Sequence, residues 1–307
     1  HIRHNDNNSS LLLKYVDHSS NAISNGVNET VITLKDDKYP VTVKLHYVAY
    51  GKENIIRAFS EISHEEKKPV ILCKYASSML HLNSSKYFLT EFSGDWAHEA
   101  NVTERELAFG KKVIDTKLGA RANMFVSPFF QLALDNSSQE NAGEVLVGTI
   151  GWTGNFRFTF EVDNKNELRI ISGINPYDSE YSLPAKEVFR TPDFYFTYST
   201  QGKGEASRNF HDWARNHQVK NGNDTRMTLL NNWESTYFDF DENKLIGLMD
   251  EATKLGVDMF LLDDGWFANK YPRKNDQAGL GDWEVTRDKL PGGIPALVKA
   301  AKDADVK

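Results

Sequence analysis

Cysteine is nearly absent from this chain of 307 residues: Cys73 is the only one, so no internal disulfide can form. It lies in Pro69-Val-Ile-Leu-Cys-Lys-Tyr75, where a buried structural thiol is expected rather than a reactive one. No cluster of Cys and His has metal-ligand spacing, and neither a metal nor a cofactor is expected. No stretch of about 18 apolar residues occurs, so no membrane-spanning helix is expected. Runs of Lys and Arg are missing as well, and the net charge is -7. That balance disfavours nucleic acid and anionic membrane as partners. No serine or cysteine triad, no phosphate-binding loop and no repeat of fixed period can be picked out. The chain opens His1-Ile-Arg without a Met. With no signal peptide visible a cytoplasmic location is expected, although a removed signal leaves no trace and a secreted or periplasmic one stays open.

What is present is ample material for a core. Hydrophobic residues make up 40% and aromatics 12%, which argues against disorder. Residues 1–28 are polar and read as mostly irregular. Thr30–Leu34 and Val41–Val48 then alternate, with Asp36, Asp37 and Pro40 between them, which is a hairpin signature. Further strands are expected at Asn54–Phe59, Pro69–Tyr75, Tyr87–Phe92, Gly143–Ile150, Phe156–Val162, Leu168–Ile171 and Glu187–Tyr198. In Phe156-Arg-Phe-Thr-Phe-Glu-Val162 the aromatic residues alternate with polar ones, so one face should be buried and the other wet. Many short strands with turn signals between them predict a β-sandwich. The stretch around Arg121, Pro128-Phe-Phe and Gln131 reads as a structured turn.

The character changes near residue 203. Ala206–His217 puts Phe210, Trp213 and Ala214 on one helical face and reads as a linker helix packed on the next unit. Strand and helix then alternate: Thr228–Glu234, Glu242–Leu255 closed by Gly256, Val257–Asp263, and Ile294 to about Ala304. That order implies a parallel sheet, and two such units neither close a barrel nor bury both faces of their strands. The expected architecture is multidomain α and β: residues 1–202 as a β-sandwich, 203–225 as a linker helix and turn, and 226–307 as the first βα units of a (β/α)8 TIM barrel. Since Lys307 follows a helix that runs towards another strand, the chain is expected to be a piece of a longer one, cut at both ends.

Within Val257-Asp-Met-Phe-Leu-Leu-Asp-Asp-Gly-Trp-Phe267 an apolar run stops at two adjacent carboxylates, Asp263 and Asp264. Adjacent acids beside aromatic residues are costly to bury without partners, and sugar hydroxyls are suitable ones, because a carboxylate accepts two hydroxyl bonds. The alternative is a solvated acidic turn that caps the next helix. On a barrel, Trp233 and Asp263 would both sit at C-terminal strand ends, the catalytic face. Trp233 could stack on a sugar ring or be a core residue under the rim. Asn231, Asn232 and Glu234 are expected to hold the rim together. The loop from Gly265 to the next helix exceeds the roughly 12–15 residues at which loops are usually functional or disordered. Its Trp266 is expected to pack the loop down, while Trp283 stays open as a pocket wall. In the first domain Ser93-Gly-Asp-Trp-Ala-His-Glu99 repeats the Gly-Asp-Trp trio. Trp96 there reads as a buried sandwich aromatic more readily than as a ligand platform, and His98 and Glu99 make no convincing acid/base pair.

Asn231-Asn-Trp-Glu-Ser-Thr-Tyr-Phe-Asp-Phe240 and Leu262-Asp-Asp-Gly-Trp-Phe267 resemble the microbial α-galactosidases of glycoside hydrolase family 36. The likeness extends over Leu280-Gly-Asp-Trp283, Lys289-Leu-Pro-Gly-Gly293, Phe92–Glu99, Gly151-Trp-Thr-Gly-Asn-Phe156, Gly173-Ile-Asn-Pro-Tyr177, Tyr198-Ser-Thr-Gln-Gly202 and Phe210-His-Asp-Trp213, and so over most of residues 12–307. It implies an N-terminal β-supersandwich, a catalytic (β/α)8 barrel and a small C-terminal β domain. It also implies retaining hydrolysis through an Asp nucleophile and an Asp acid/base, both expected beyond Lys307, with no catalytic residue in this chain. By the same resemblance Asp263 and Asp264 grip galactose hydroxyls, Trp233 lines the same pocket, and the Trp96 loop approaches an active site that in oligomers belongs to a neighbouring subunit. The implied substrate is an α-galactoside oligosaccharide of the raffinose or melibiose type, and the implied assembly is a homotetramer. An α-N-acetylgalactosaminidase or a raffinose-synthase-like transferase of the same family stays open, as does a non-catalytic carbohydrate-binding sandwich. Lys117-Leu-Gly-Ala-Arg-Ala-Asn-Met-Phe-Val126 departs from the family's Gly, Ser, Thr and His-rich stretch, which puts a loop role there in doubt.

Overall fold

Phe156, Phe158 and Phe160 are wholly buried, while Arg157, Thr159 and Glu161 between them stay partly exposed, as an alternating strand with one face inward requires. The computed structural model describes residues 1–122 and 124–307. Asn123, inside the departing stretch 117–126, lies outside the described residues.

The chain divides into two units, His1–Gly222 and Asn223–Lys307. In the first, an antiparallel ten-stranded sheet runs spatially through Leu13–Ser24, Val27–Asp36, Val41–Tyr50, Ile55–His64, Asp193–Ser199, Val145–Gly151, Val126–Leu134, Tyr87–Ser93 and Asn101–Glu106, with Val188–Arg190 beside Ile55–His64. A four-stranded sheet of Gly110–Asp115, Phe156–Val162, Glu167–Ile174 and Ser78–Asn83 packs against it. Tyr87, Phe130, Leu132 and Phe194 from the large sheet meet Phe158, Phe160, Leu168 and Ile170 from the small one, all essentially inaccessible. A small three-stranded sheet, Ile2–Arg3, Val70–Leu72 and Tyr181–Leu183, completes the unit. Cys73, just beyond Leu72, is half-buried rather than buried.

Three further expectations need correction. Residues 1–28 are not irregular: Leu13–Ser24 is a twelve-residue strand paired with Val27–Asp36. Beyond Leu13, which packs on the core cluster of Val41 and Val43, its side chains are exposed on both faces, so it is held by its backbone ladder and shows no apolar alternation. Pro128 lies within the strand Val126–Leu134 rather than in a turn, at a register shift between Val126 and Phe130, where a strand tolerates a residue without an N–H. The helix Gly202–Trp213 packs on the first unit's own sheet, with Ala206 and Phe210 against Ala133, Val145 and Val147.

In the second unit Leu229–Asn231 and Met259–Leu261 pair in parallel, as the strand–helix order predicts. The helix Glu242–Lys254 starts at Asp241, whose carboxylate accepts the Lys244 N–H at 2.8 Å, an N-cap bond. It stops at Gly256, whose φ of +77° suits the position after a helix. Leu245 and Met249 from this helix, Leu297 from the helix Gly293–Asp303, and Phe240, Leu290 and Val306 form the core, with Phe260 and Leu262 packed on it. Leu229 and Leu261, whose side chains alternate to the opposite side of the parallel pair, are 48% and 44% exposed.

Candidate functional site

Asp263 and Asp264 follow the strand Met259–Leu261 after one residue, Leu262, and Asn231 ends the strand beside it. The geometry grows from those two strand ends. Asn231 Nδ2 donates to Asp263 Oδ2 at 2.5 Å, and its Oδ1 accepts the Trp233 N–H at 2.8 Å. Asn232, fully buried, accepts the Asp263 N–H at 2.8 Å and donates to Thr236 Oγ1 at 2.9 Å. The Asp263 carboxylate accepts the Asp264 N–H at 2.7 Å, and the Asp264 carboxylate accepts the Gly265 N–H at 2.6 Å. The turn is thus tied to itself and to the neighbouring strand. Neither acid caps a helix, which removes the capping alternative: the next helix, Gly293–Asp303, has Gly292 at its N-cap and no side-chain cap.

The residue that sequence reasoning missed is Arg273. Its Nε and Nη2 donate to Asp264 Oδ1 and Oδ2, both at 2.5 Å, in a bidentate pair. The guanidinium beside it holds the Asp264 carboxyl below the usual carboxylate range, while burial acts the other way. Nη1 donates to Ala278 O at 2.5 Å and Asp276 O at 3.3 Å. The guanidinium also lies 5.1 Å from the Phe267 ring centre and 5.6 Å from that of Phe238. The only available signal was an Arg in a glycine-bearing aromatic loop, nine residues after the second acid. A cleft of about 440 Å³ adjoins it, lined by Phe238, Lys274, Asp288 and Lys289 among others. Lys289 donates to Phe238 O at 2.7 Å and sits 4.6 Å from the Phe240 ring centre, and burial lowers its ammonium pKa.

Trp233 is half-buried and meets Tyr237 and Phe238 edge-on, at 5.3 and 5.0 Å between ring centres. Through Asn231 its backbone belongs to the same network as Asp263. It stands in the short helix Trp233–Thr236 and not in the strand itself. Trp266 packs against the core of the second unit, as expected. Trp283 contacts Phe267 at 4.6 Å yet stays 66% exposed. Asp282 beside it fastens the loop by accepting the N–H groups of Lys270 and Tyr271, each at 2.9 Å. Trp96 belongs to the first unit and is 85% exposed, which corrects the expectation of a buried sandwich aromatic. Its loop carries Ala97 and Ala100 at positive φ, 59° and 54°, a strained conformation of the kind that collects at functional sites. The cavity of about 510 Å³ in the first unit has largely apolar walls, with Leu34, Val43, Leu45 and Ile62 among them, and offers a sugar little to bond. Among the described residues no group of three or more His, Cys, Asp or Glu is placed to hold a metal ion, and no helix is long and apolar enough to cross a membrane.

A β-sandwich that leads into parallel βα units with braced acids at the strand ends is the arrangement that the resemblance to the family implies. Residues 1–184 match the family model for the glycosyl hydrolase family 36 N-terminal domain, and residues 188–307 match the Melibiase model. The chain belongs to glycosyl hydrolase family 36. It is 33% identical over 292 residues to α-galactosidase AgaA of Geobacillus stearothermophilus, across 94% of this chain and 38% of that protein. It is 31% identical over 284 residues to α-galactosidase Mel36A of Lactobacillus acidophilus, across 92% of this chain and 38% of that one. The crystal structure of AgaA superposes with a TM-score of 0.91 at 30% identity, covering 100% of this chain and 44% of that one. A variant of AgaA solved in complex with raffinose gives 0.90 at 29% identity, with the same coverage. The chain therefore spans less than half the length of the relatives it matches.

Proposed function

We propose that the full-length protein is an α-galactosidase that removes terminal α-linked galactose from oligosaccharides of the raffinose or melibiose type. The observation that carries this reading is the braced acid pair Asp263–Asp264 at the ends of parallel strands. Its carboxylates keep unused acceptor sites, which is the chemistry that sugar hydroxyls need. Trp233 supplies an aromatic wall on the same network. Trp283 is a further proposed sugar contact, and Trp96 of the sandwich domain is proposed to contact sugar held by a neighbouring subunit.

Hydrolysis with retention requires a carboxylate nucleophile and a carboxylic acid/base about 5–5.5 Å apart. We place both outside residues 1–307 and give Asp263 and Asp264 the work of orienting the sugar. The nucleophile displaces the aglycone, whose oxygen the acid/base protonates, to give a glycosyl-enzyme; a water deprotonated by the same acid/base then attacks the anomeric carbon, releasing galactose and freeing the nucleophile. The parallel strands argue against a stand-alone carbohydrate-binding sandwich, which has no need of them.

The test is hydrolysis of an aryl α-galactoside. The 307-residue chain alone should show no turnover. In the full-length protein Asp263→Ala or Asp264→Ala should lower kcat/KM by on the order of 10–100-fold, since hydrogen bonds to charged groups contribute about 1.5–3 kcal/mol each. Unchanged kcat/KM in both variants would remove the site assignment. A homotetramer belongs to the same proposal, and light scattering on the full-length protein tests it.

A further inference from the structure

The two neighbouring carboxylates do not have the same acceptor capacity left. Asp264 Oδ1 already accepts the Gly265 N–H at 2.6 Å and Arg273 Nε at 2.5 Å, and Oδ2 accepts Arg273 Nη2 at 2.5 Å. A carboxylate oxygen accepts about two hydrogen bonds, so Oδ1 is filled and Oδ2 keeps one site. In Asp263 each oxygen accepts one hydrogen bond, Oδ1 from the Asp264 N–H and Oδ2 from Asn231 Nδ2, so each keeps one site. Arg273 is itself immobilised: its side chain is 5% exposed, it is bonded to two loop carbonyls, and its guanidinium lies near the Phe267 and Phe238 rings.

We propose that Arg273 is a positioning residue, which locks the Asp264 carboxylate so that it offers the sugar one acceptor on Oδ2, while Asp263 offers two. The consequence is a directional site: Asp263 spans a pair of hydroxyls and Asp264 takes a single one. A planar guanidinium is suited to this locking, because its two parallel N–H groups fix the carboxylate plane, which an ammonium cannot do. The inference rests on the proposed α-galactoside reading of the acid pair.

The experiment uses the full-length protein and compares Arg273→Met, Arg273→Lys, Asp264→Asn and the double variant Arg273→Met/Asp264→Asn. The readouts are KM and kcat on an aryl α-galactoside, the inhibition constant of galactose, and the melting temperature. Loss of positioning should raise KM and the galactose inhibition constant by up to on the order of 100-fold in Arg273→Met. Arg273→Lys should recover part of that, since it keeps the charge without the fork. Adding Arg273→Met to Asp264→Asn should change little, because the two residues act as one unit. A merely structural role would lower the amount of folded enzyme, scaling kcat and leaving KM and the inhibition constant unmoved. That result, or effects that multiply in full, overturns the proposal. If Arg273→Met does not fold, an unmoved galactose inhibition constant in Arg273→Lys overturns it equally. If Asp264→Asn leaves both constants unmoved, the sugar-binding reading of the acid pair fails first, which separates the two failures.

Discussion

At the scale of single residues, adjacency in sequence does not imply equivalence. Asp263 is braced by a neutral amide and Asp264 by a cation. The unequal acceptor count makes Asp263→Ala the more damaging of the two alanine substitutions, by roughly one hydrogen bond to a charged group, about 1.5–3 kcal/mol in transition-state binding. Ratios of kcat/KM measured side by side decide it, and equal losses would contradict the count. The Arg273 pairing also fixes the sign of a pH effect. Asp264 has a folded pKa below its unfolded one, so its contribution to stability is present above the unfolded value, ~3.9, and is lost as pH falls through the depressed folded value. Partial exposure limits that contribution to about 1 kcal/mol. Acid unfolding of wild type and Asp264→Asn should therefore converge at the lowest pH and separate above pH ~4, with wild type the more stable. The acid pair was legible in the sequence because an apolar run ends on it. Arg273 was not, since a salt bridge closed within an irregular loop leaves no periodicity to read.

At the scale of elements, legibility followed burial. Phe156–Val162 announces itself because every second side chain enters the core. Leu13–Ser24 is as regular a strand, yet nothing marks it, because its order comes from backbone pairing at a sheet edge. The helix Glu242–Lys254 showed both its stripe and its glycine stop. Gly148 is a less visible constraint. It lies in the central strand Val145–Gly151, and a Cβ there would stand 2.6 Å from Phe130 Cζ and 2.8 Å from Phe194 Cζ. Both rings are fully buried, so neither can retreat without disturbing the interface between the two sheets. Gly148→Ala is expected to destabilise the sandwich by about 1–3 kcal/mol, as overpacking does. Urea unfolding followed through the sandwich's aromatic near-ultraviolet signal would show it, and an unchanged midpoint would mean that the rings have room the packing does not indicate.

At the scale of the whole molecule, the two units differ in how completely each buries its own apolar surface. The sandwich closes a core between two sheets, with Phe130, Phe158, Phe160 and Phe194 wholly inaccessible. The second unit has one layer of helices on one side of two short parallel strands, and Leu229 and Leu261 on the other side remain nearly half exposed. Hydrophobic stabilisation scales with the apolar area removed from water, and a parallel pair normally has both faces covered. In the 307-residue chain the second unit should therefore open at lower free energy than the first. Hydrogen exchange would report this as earlier loss of protection at Leu229–Asn231 and Met259–Leu261 than at Phe156–Val162 and Val145–Gly151. Calorimetry of the same chain should resolve two transitions, the second unit melting first. A single transition with equal protection in both units would require the parallel pair to be covered on its Leu229 and Leu261 side in solution. In the longer protein proposed above, the protection of those two strands should rise while that of Phe156–Val162 stays unchanged.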